Sequence, residues 1–453
     1  MAVVTSPDVP TAVTEDPMNI VKELFRSDVV PAIGCTEPIC VAFTCSLARY
    51  AISNGGKDQT KITKIRVVMD PGVFKNGSAV SIPNANGMKG NQIAAALGAI
   101  CGEPELKLEV LRNVTREHLV QARAMLASGQ VEVACNYTWR GLRVEARVEN
   151  GTQYGVAIIE DGHTNVVICR KGEYEVLDPS SFLGSDCAYK AIPGNCDYRN
   201  ALRKMSLTNM IALAMNIDAE DRRYIDQGIA MNLAVSEVGY GMDGVGGHLK
   251  SLVSRGILPD GLITSTQISV TSATDARMAG VNMPVMSSGG SGNQGVVAAL
   301  VPYCVGKRGG IDISRIQESI ALSHLLNTYV KCFVGNLSPM CGCAVAAGIG
   351  ASAGVVYQQT DDPKVIGHAI NNVVGDIAGI LCDGAKGGCS MKVASATQSS
   401  IRAALLALSG YSIDCLDGIV GRTPEETIQN LWVVDSVGMQ NTDEAILGIM
   451  ARK

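Results

Sequence analysis

Two cysteines seven positions apart, in Cys382-Asp383-Gly384-Ala385-Lys386-Gly387-Gly388-Cys389, are the strongest chemical signal in the chain. On a continuous helix that spacing would separate the sulfurs by about 10 Å along the axis. Three intervening glycines argue instead for a loop that folds back and brings them together. Upstream, Ser338-Pro339-Met340-Cys341-Gly342-Cys343-Ala344-Val345-Ala346-Ala347-Gly348 offers a third thiolate where a loop opens a helix of small residues. Residues i and i+2 do not share a helix face, so one of Cys341 and Cys343 is expected to be a ligand, not both. Three thiolates suit zinc or an iron–sulfur cubane. Zinc would want a fourth ligand at short spacing, and no nearby His supplies the usual pattern. A cubane held by three cysteines leaves one iron open as a Lewis acid for a substrate oxygen or sulfur. The same cysteines could equally be small hydrophobes buried in a helical core.

Three further stretches could carry chemistry. In Gly34-Cys35-Thr36-Glu37-Pro38, Cys35 precedes a helix with Pro38 in its first turn, and a helix N-terminus makes a thiolate more available. Cys35 could be a base, a nucleophile or a ligand; Thr36 as a cap with Cys35 packed beside it is the structural alternative. Ser287-Ser288-Gly289-Gly290-Ser291-Gly292-Asn293-Gln294-Gly295 could form an anion nest at a helix start. A pyridoxal-phosphate site would need a Schiff-base lysine upstream; the nearest, Lys250, has no supporting context, so carboxylate binding is the more economical role. In Asp70-Pro71-Gly72-Val73-Phe74-Lys75-Asn76-Gly77, Lys75 and Asn76 could contact a substrate carboxylate or simply form a turn. His163 is a weaker candidate. No Walker A or HExxH pattern occurs, and no GxGxxG follows a predicted strand.

The elements that must position these residues follow from pattern. The chain has 453 residues, a net charge of −5 and 4% aromatics, which excludes a whole-chain basic footprint and argues against base-stacking platforms for nucleic acid. Hydrophobic residues at 47% with only 18% charged exclude global disorder. No secretory signal or membrane-length apolar run is visible, so the 15 cysteines are read as reduced, in a cytoplasmic protein. Residues 1–16 read as a polar tail and 17–54 as two helices broken at Pro31–Cys35, packing on the core. A strand over Ile65–Met69 precedes a Gly/Asn-rich loop, Asp70 to Gly90, and helices near 90–102 and 115–128. Alternating stretches from Val131 to Val176 predict an antiparallel sheet with one solvated face. The strand signal stops after Asp197, and the text to Ile449 is helical with Gly-rich breaks. The class is α+β: a mixed α/β domain with an antiparallel sheet over 55–196, and a larger all-helical domain over 197–453.

Taken in order, GCTEP (34–38), DPGVFKNG (70–77), TDARMAG (274–280), SSGGSGNQG (287–295) and CDGAKGGC (382–389) resemble the L-cysteine desulfidase family, which is similar to the α region of the iron–sulfur L-serine dehydratases. The resemblance runs from about residue 17 to the end. It implies a 4Fe–4S cluster held by Cys343, Cys382 and Cys389, and no pyridoxal phosphate. It implies loss of the β-substituent of a small L-amino acid: L-cysteine to pyruvate, ammonia and hydrogen sulfide, or L-serine in a dehydratase of the same type. A non-enzymatic iron–sulfur sensor is the alternative of another class. Cys35 and Lys386 are the candidate bases; Thr36, Glu37, Lys75, Asn76, Ser287, Ser288, Ser291 and Asn293 are the candidate substrate-binding residues. The small-residue helices permit a homodimer.

Overall fold

The computed structural model describes residues 19–53, 61–178, 183 and 197–453. The polar tail read over 1–16 lies outside them, as do the residues just before the expected boundary at 196. Two separate apolar cores organise the chain. One is built around α2 (Thr36–Ile52), α4 (Asn91–Cys101) and a six-stranded sheet. The other gathers α1 (Ile20–Ser27) and the helices after Tyr198. Helix α2 is apolar all round and nearly every residue in it is buried, as expected of a helix that runs through a core.

The sheet is mixed, in the order β3-β2-β4-β5-β6-β7. Its strands are β2 (Lys64–Met69), β3 (Val131–Cys135), β4 (Arg143–Glu149), β5 (Tyr154–Glu160), β6 (Val166–Lys171) and β7 (Glu175–Val176). Every pair is antiparallel except β2 with β3, which run parallel with Ile65 opposite Val131. A parallel pair needs a long crossover, and α4 and α5 (Arg116–Ala127) supply it. In β4, Val144, Ala146 and Val148 are buried while Arg143, Glu145 and Arg147 alternate outward, which gives the solvated face.

Two expectations are corrected. The stretch after β2 is not all loop: Pro71–Gly77 forms a short helix, α3. Asp70 caps it, its carboxylate accepting from the backbone N–H of Gly72 (2.8 Å) and Val73 (3.1 Å), and Pro71 occupies the first turn where its missing N–H costs nothing. Strands also do not end at 197. Pro284–Met286 forms β8, paired antiparallel with β1 (Pro31–Ile33), so the segment read as a helix break is a strand tying the N-terminal chain to the helical region.

The helical region follows as α6 (Asp197–Arg203), α7 (Leu207–Met215), α8 (Ala219–Gly239), α9 (Val245–Ser254), α10 (Leu262–Met278), α11 (Gly292–Arg308), α12 (Ile313–Val334), α13 (Val345–Tyr357), α14 (Pro363–Ile377), α15 (Cys389–Leu408), α16 (Pro424–Val433) and α17 (Thr442–Met450). Among the described residues no helix is long and apolar enough to cross a membrane. Helix α13 is buried along its whole length, and its glycines let α12 approach. A Cβ at Gly350 would lie 2.3 Å from the Ser323 carbonyl oxygen. Gly350→Ala is therefore expected to force α12 and α13 apart and cost roughly 1–3 kcal/mol, read as a lower denaturation midpoint in urea at unchanged slope.

Candidate active site

The thiols are brought together by backbone pairing. Met340 and Leu381 form an antiparallel bridge. Cys341 N–H donates to the Ile380 carbonyl (2.8 Å) and Cys382 N–H to the Pro339 carbonyl (2.7 Å), so Cys341 and Cys382 sit on adjacent extended segments. Gly384, at φ +98°, then turns the chain; a Cβ there would stand 2.8 Å from the Lys75 carbonyl oxygen. This reversal, anticipated from the glycines, delivers Cys389 to the first position of α15. Cys341 and Cys343 lie in the turn before α13, not on a helix, so the argument from helix faces does not apply to them. Their mutual interaction draws Cys341 below the usual thiol range and pushes Cys343 above it. Cys341, Cys343, Cys382 and Cys389 all line one cavity. Burial raises Cys382 above its ordinary value and Cys389 to about 11.

The second wall comes from the start of α2. Glu37 is buried, and its carboxylate accepts from the Cys35 thiol (2.8 Å), the Thr36 hydroxyl (3.2 Å) and Asn76 Nδ2 (2.9 Å). Burial opposes its ionisation, but nearby His163 and the hydrogen bonds from Cys35 and Asn76 outweigh that and keep it below the usual carboxylate range. Cys35 departs from expectation. Burial, then the charge of Glu37, push its thiol well up, so the helix N-terminus does not make it a thiolate. Asn76 joins the two walls, since its Oδ1 accepts from the Cys382 thiol (3.6 Å) while its Nδ2 holds Glu37.

The third wall is the start of α11. Ser291, Asn293 and Gln294 line the cavity, with Ser291 Oγ 3.9 Å from Cys343 Sγ. Arg277, near the end of α10, is buried and donates to Asn293 Oδ1 and the Gly34 carbonyl, thereby bracing both the α11 entry and the residue before Cys35.

Four sequence candidates lie outside the cavity lining. The Lys75 ammonium is taken by Asp443 (2.5 Å) and the Cys382 carbonyl (2.7 Å), so it holds the thiol loop rather than a substrate. Ser287 Oγ donates to the Asp28 carbonyl (3.0 Å) and accepts from Val30 N–H (3.1 Å). Ser288 Oγ bonds to His324 Nδ1 and accepts from Asn327, both at 2.9 Å. Lys386 is about a third exposed and paired with Asp383. His163 is buried, its Nε2 without a hydrogen bond, and also outside the lining. Sequence reasoning gave no role to Arg277, Lys331, Lys392 or Gln294. Arg277 at least lay inside a motif that carried the resemblance; Lys331 had no signal beyond being a lysine on a helix.

His324 carries a pH prediction. Burial lowers its pKa to about 4, against about 6.5 in the unfolded chain. The unfolded chain therefore binds a proton first as pH falls. His324 contributes stability above about pH 6.5 that is lost progressively down to about pH 4, on the order of 3 kcal/mol. His324→Gln is expected to flatten that fall, checked by urea denaturation at about pH 7 and about pH 4.

Whether the donor set fits a cluster can be judged from its chemistry. Soft sulfur donors dominate one side of the cavity. Two buried cations, Arg277 and Lys331, face them from the other. Among the described residues no three His, Cys, Asp or Glu side chains form a group that could hold one metal ion. Four cysteine sulfurs on one cavity are donors of the type that iron–sulfur clusters take.

The comparisons agree. The serine dehydratase alpha chain family matches residues 105–448, and the chain belongs to that family. The family is generally iron–sulfur dependent and of lyase type. The chain is similar to a UPF0597 protein of Geobacter sulfurreducens, 44% identical over 96% of this chain and 99% of the relative. UPF0597 proteins of Elusimicrobium minutum and Desulforapulum autotrophicum are 43% and 36% identical, covering 100% and 97% of those chains and 96% of this one.

Proposed function

We propose that this protein is an iron–sulfur-dependent lyase that removes the β-substituent of a small L-amino acid, with L-cysteine as substrate and pyruvate, ammonia and hydrogen sulfide as products. The single observation that carries the reading is the convergence of four thiols and the Cys35–Glu37 pair on one cavity, bridged by Asn76. Cys343, Cys382 and Cys389 would hold a 4Fe–4S cluster, with Cys341 beside them. When bound, such a cluster supplies a Lewis-acidic iron at its unligated corner.

The chain's own residues do the remaining work. Glu37 is the ionised group placed to accept a proton, and the neutral Cys35 thiol donates to it rather than acting alone as the base. As the Cα proton passes to this pair, the Cα–H electrons form the Cα=Cβ bond and the sulfur leaves with its own pair. The resulting 2-aminoacrylate hydrolyses in water to pyruvate and ammonia. Ser291, Asn293 and Thr36 line the space in which the substrate frame must lie.

The test is an anaerobic assay of L-cysteine against L-serine, with iron and acid-labile sulfide quantified in the same protein. Pyruvate and sulfide from L-cysteine support the reading, and a preference for L-serine makes it a dehydratase. A protein that holds iron but consumes neither amino acid sinks it.

A further inference from the structure

Lys331 sits in the last turn of α12, 2% exposed, and lines the same cavity as the thiols. Among the described residues its ammonium makes no hydrogen bond and no ion pair. That is unusual, because a buried ammonium is expensive unless something partners it. Every neighbouring cation is committed. Arg277 donates to Gly34 and Asn293. Lys392 donates to the Leu381 carbonyl and pairs with Asp383. Lys75 pairs with Asp443. The acid that acts on Lys331 is Asp435, whose carboxylate accepts from the Ser338 hydroxyl and Met340 N–H. Among the described residues the one carboxylate lining the cavity is Glu37, engaged by Cys35, Thr36 and Asn76. Arg277 lies within electrostatic reach of Cys35, Cys343 and Cys389, and Lys331 of Cys343 and Cys382, but Arg277 spends hydrogen bonds on Gly34 and Asn293 while Lys331 spends none.

The cavity thus keeps one cation in reserve for an anion that arrives with the ligand. Resting on the amino-acid lyase reading, we propose that Lys331 anchors the α-carboxylate of the substrate. The site then selects free α-amino acids over their amides, esters or peptide-linked forms, because only a free carboxylate pairs with the ammonium. It also fixes the substrate by its unreactive end, leaving the β-substituent to face the thiol wall.

The probes are L-alanine, which has the amino-acid frame without a leaving group, and L-alaninamide, which lacks the carboxylate. Binding is measured by calorimetry on anaerobically prepared, cluster-loaded protein. Wild type is expected to bind L-alanine well above L-alaninamide. Lys331→Gln should weaken L-alanine by about 10- to 100-fold and leave L-alaninamide unchanged. Lys331→Arg should recover part of the loss. KM for L-cysteine should rise with kcat little altered, and iron content and visible absorbance should match wild type. Lys331→Met, similar in length, provides a second test of the same loss if the Gln variant fails to fold. Unchanged L-alanine binding in the variants overturns the proposal. So does a fall in kcat at constant KM, which would make Lys331 a base, or a loss of iron that accompanies the loss of binding, which would make it only a counter-ion of the cluster. Wild-type protein that binds no L-amino acid overturns the parent reading and this one with it, a failure visible before any variant is made.

Discussion

Cys382→Ser, in protein purified without oxygen, is expected to lose its brown colour and its pyruvate-forming activity together. Removing an outer partner of a metal ligand typically costs about 10- to 100-fold, so losing a direct ligand should cost more than about 100-fold. The residual band should no longer bleach with dithionite, and iron per chain should fall. Cys415→Ser provides the control. That cysteine is exposed, and its loss should change neither colour nor rate. If Cys382→Ser keeps full iron and activity, the assignment of this loop is wrong. The same pair of measurements on Cys341→Ser and Cys343→Ser decides which of the two is the ligand, since the turn before α13 leaves both at the cavity.

Glu37→Gln should be equally damaging for a different reason. The substitution keeps the shape of the side chain but replaces one acceptor oxygen with an N–H₂ donor, so one of the hydrogen bonds from Cys35, Thr36 or Asn76 must rearrange. What disappears is, among the described residues, the one carboxylate that lines the cavity. If Glu37 receives the substrate proton, kcat should drop by roughly 10²–10⁴-fold, with iron content and absorbance unchanged. A variant with near-normal kcat and only a raised KM would move Glu37 from proton transfer to substrate binding. Cys35→Ala separates the partners. It removes a donor to Glu37 but leaves the carboxylate, so its effect should be smaller than that of Glu37→Gln.

Legibility from sequence followed the range of the forces involved. The Cys382–Cys389 loop could be read because glycines and paired thiols are local statements about backbone and chemistry. The α+β division could be read because period-2 and period-3.6 patterns are local too. The strand at 284–286 could not, since three residues carry no period and its partner lies some 250 positions away. Helix α3 was hidden by its turn-like composition, although Asp70 and Pro71 are an ordinary capping pair. Lys75 looked like a ligand for substrate because its true partner, Asp443, is 368 residues distant. The places of Ser287 and Ser288 outside the cavity lining were hidden for the same reason: their neighbours come from α1's exit and from α12. Lys331 is the limiting case. Its meaning comes entirely from what surrounds it, and one-dimensional text does not show that the neighbouring acid, Asp435, is taken up by Ser338 and Met340.

The pairing of Lys75 with Asp443 has a bearing on how residues far apart in the chain share responsibility for the pocket. Asp443 belongs to the final helix, and through one ammonium it shares a hold on the carbonyl of Cys382. A ribosome must therefore read on as far as Asp443, 368 residues past Lys75, before the thiol loop gains its full support. Until then the ammonium of Lys75 would be left without its acid, and cluster loading would meet a half-finished cradle. Support for the thiol loop thus waits on a residue synthesised long after Lys75, and loss of Asp443 would loosen the Cys382 carbonyl directly.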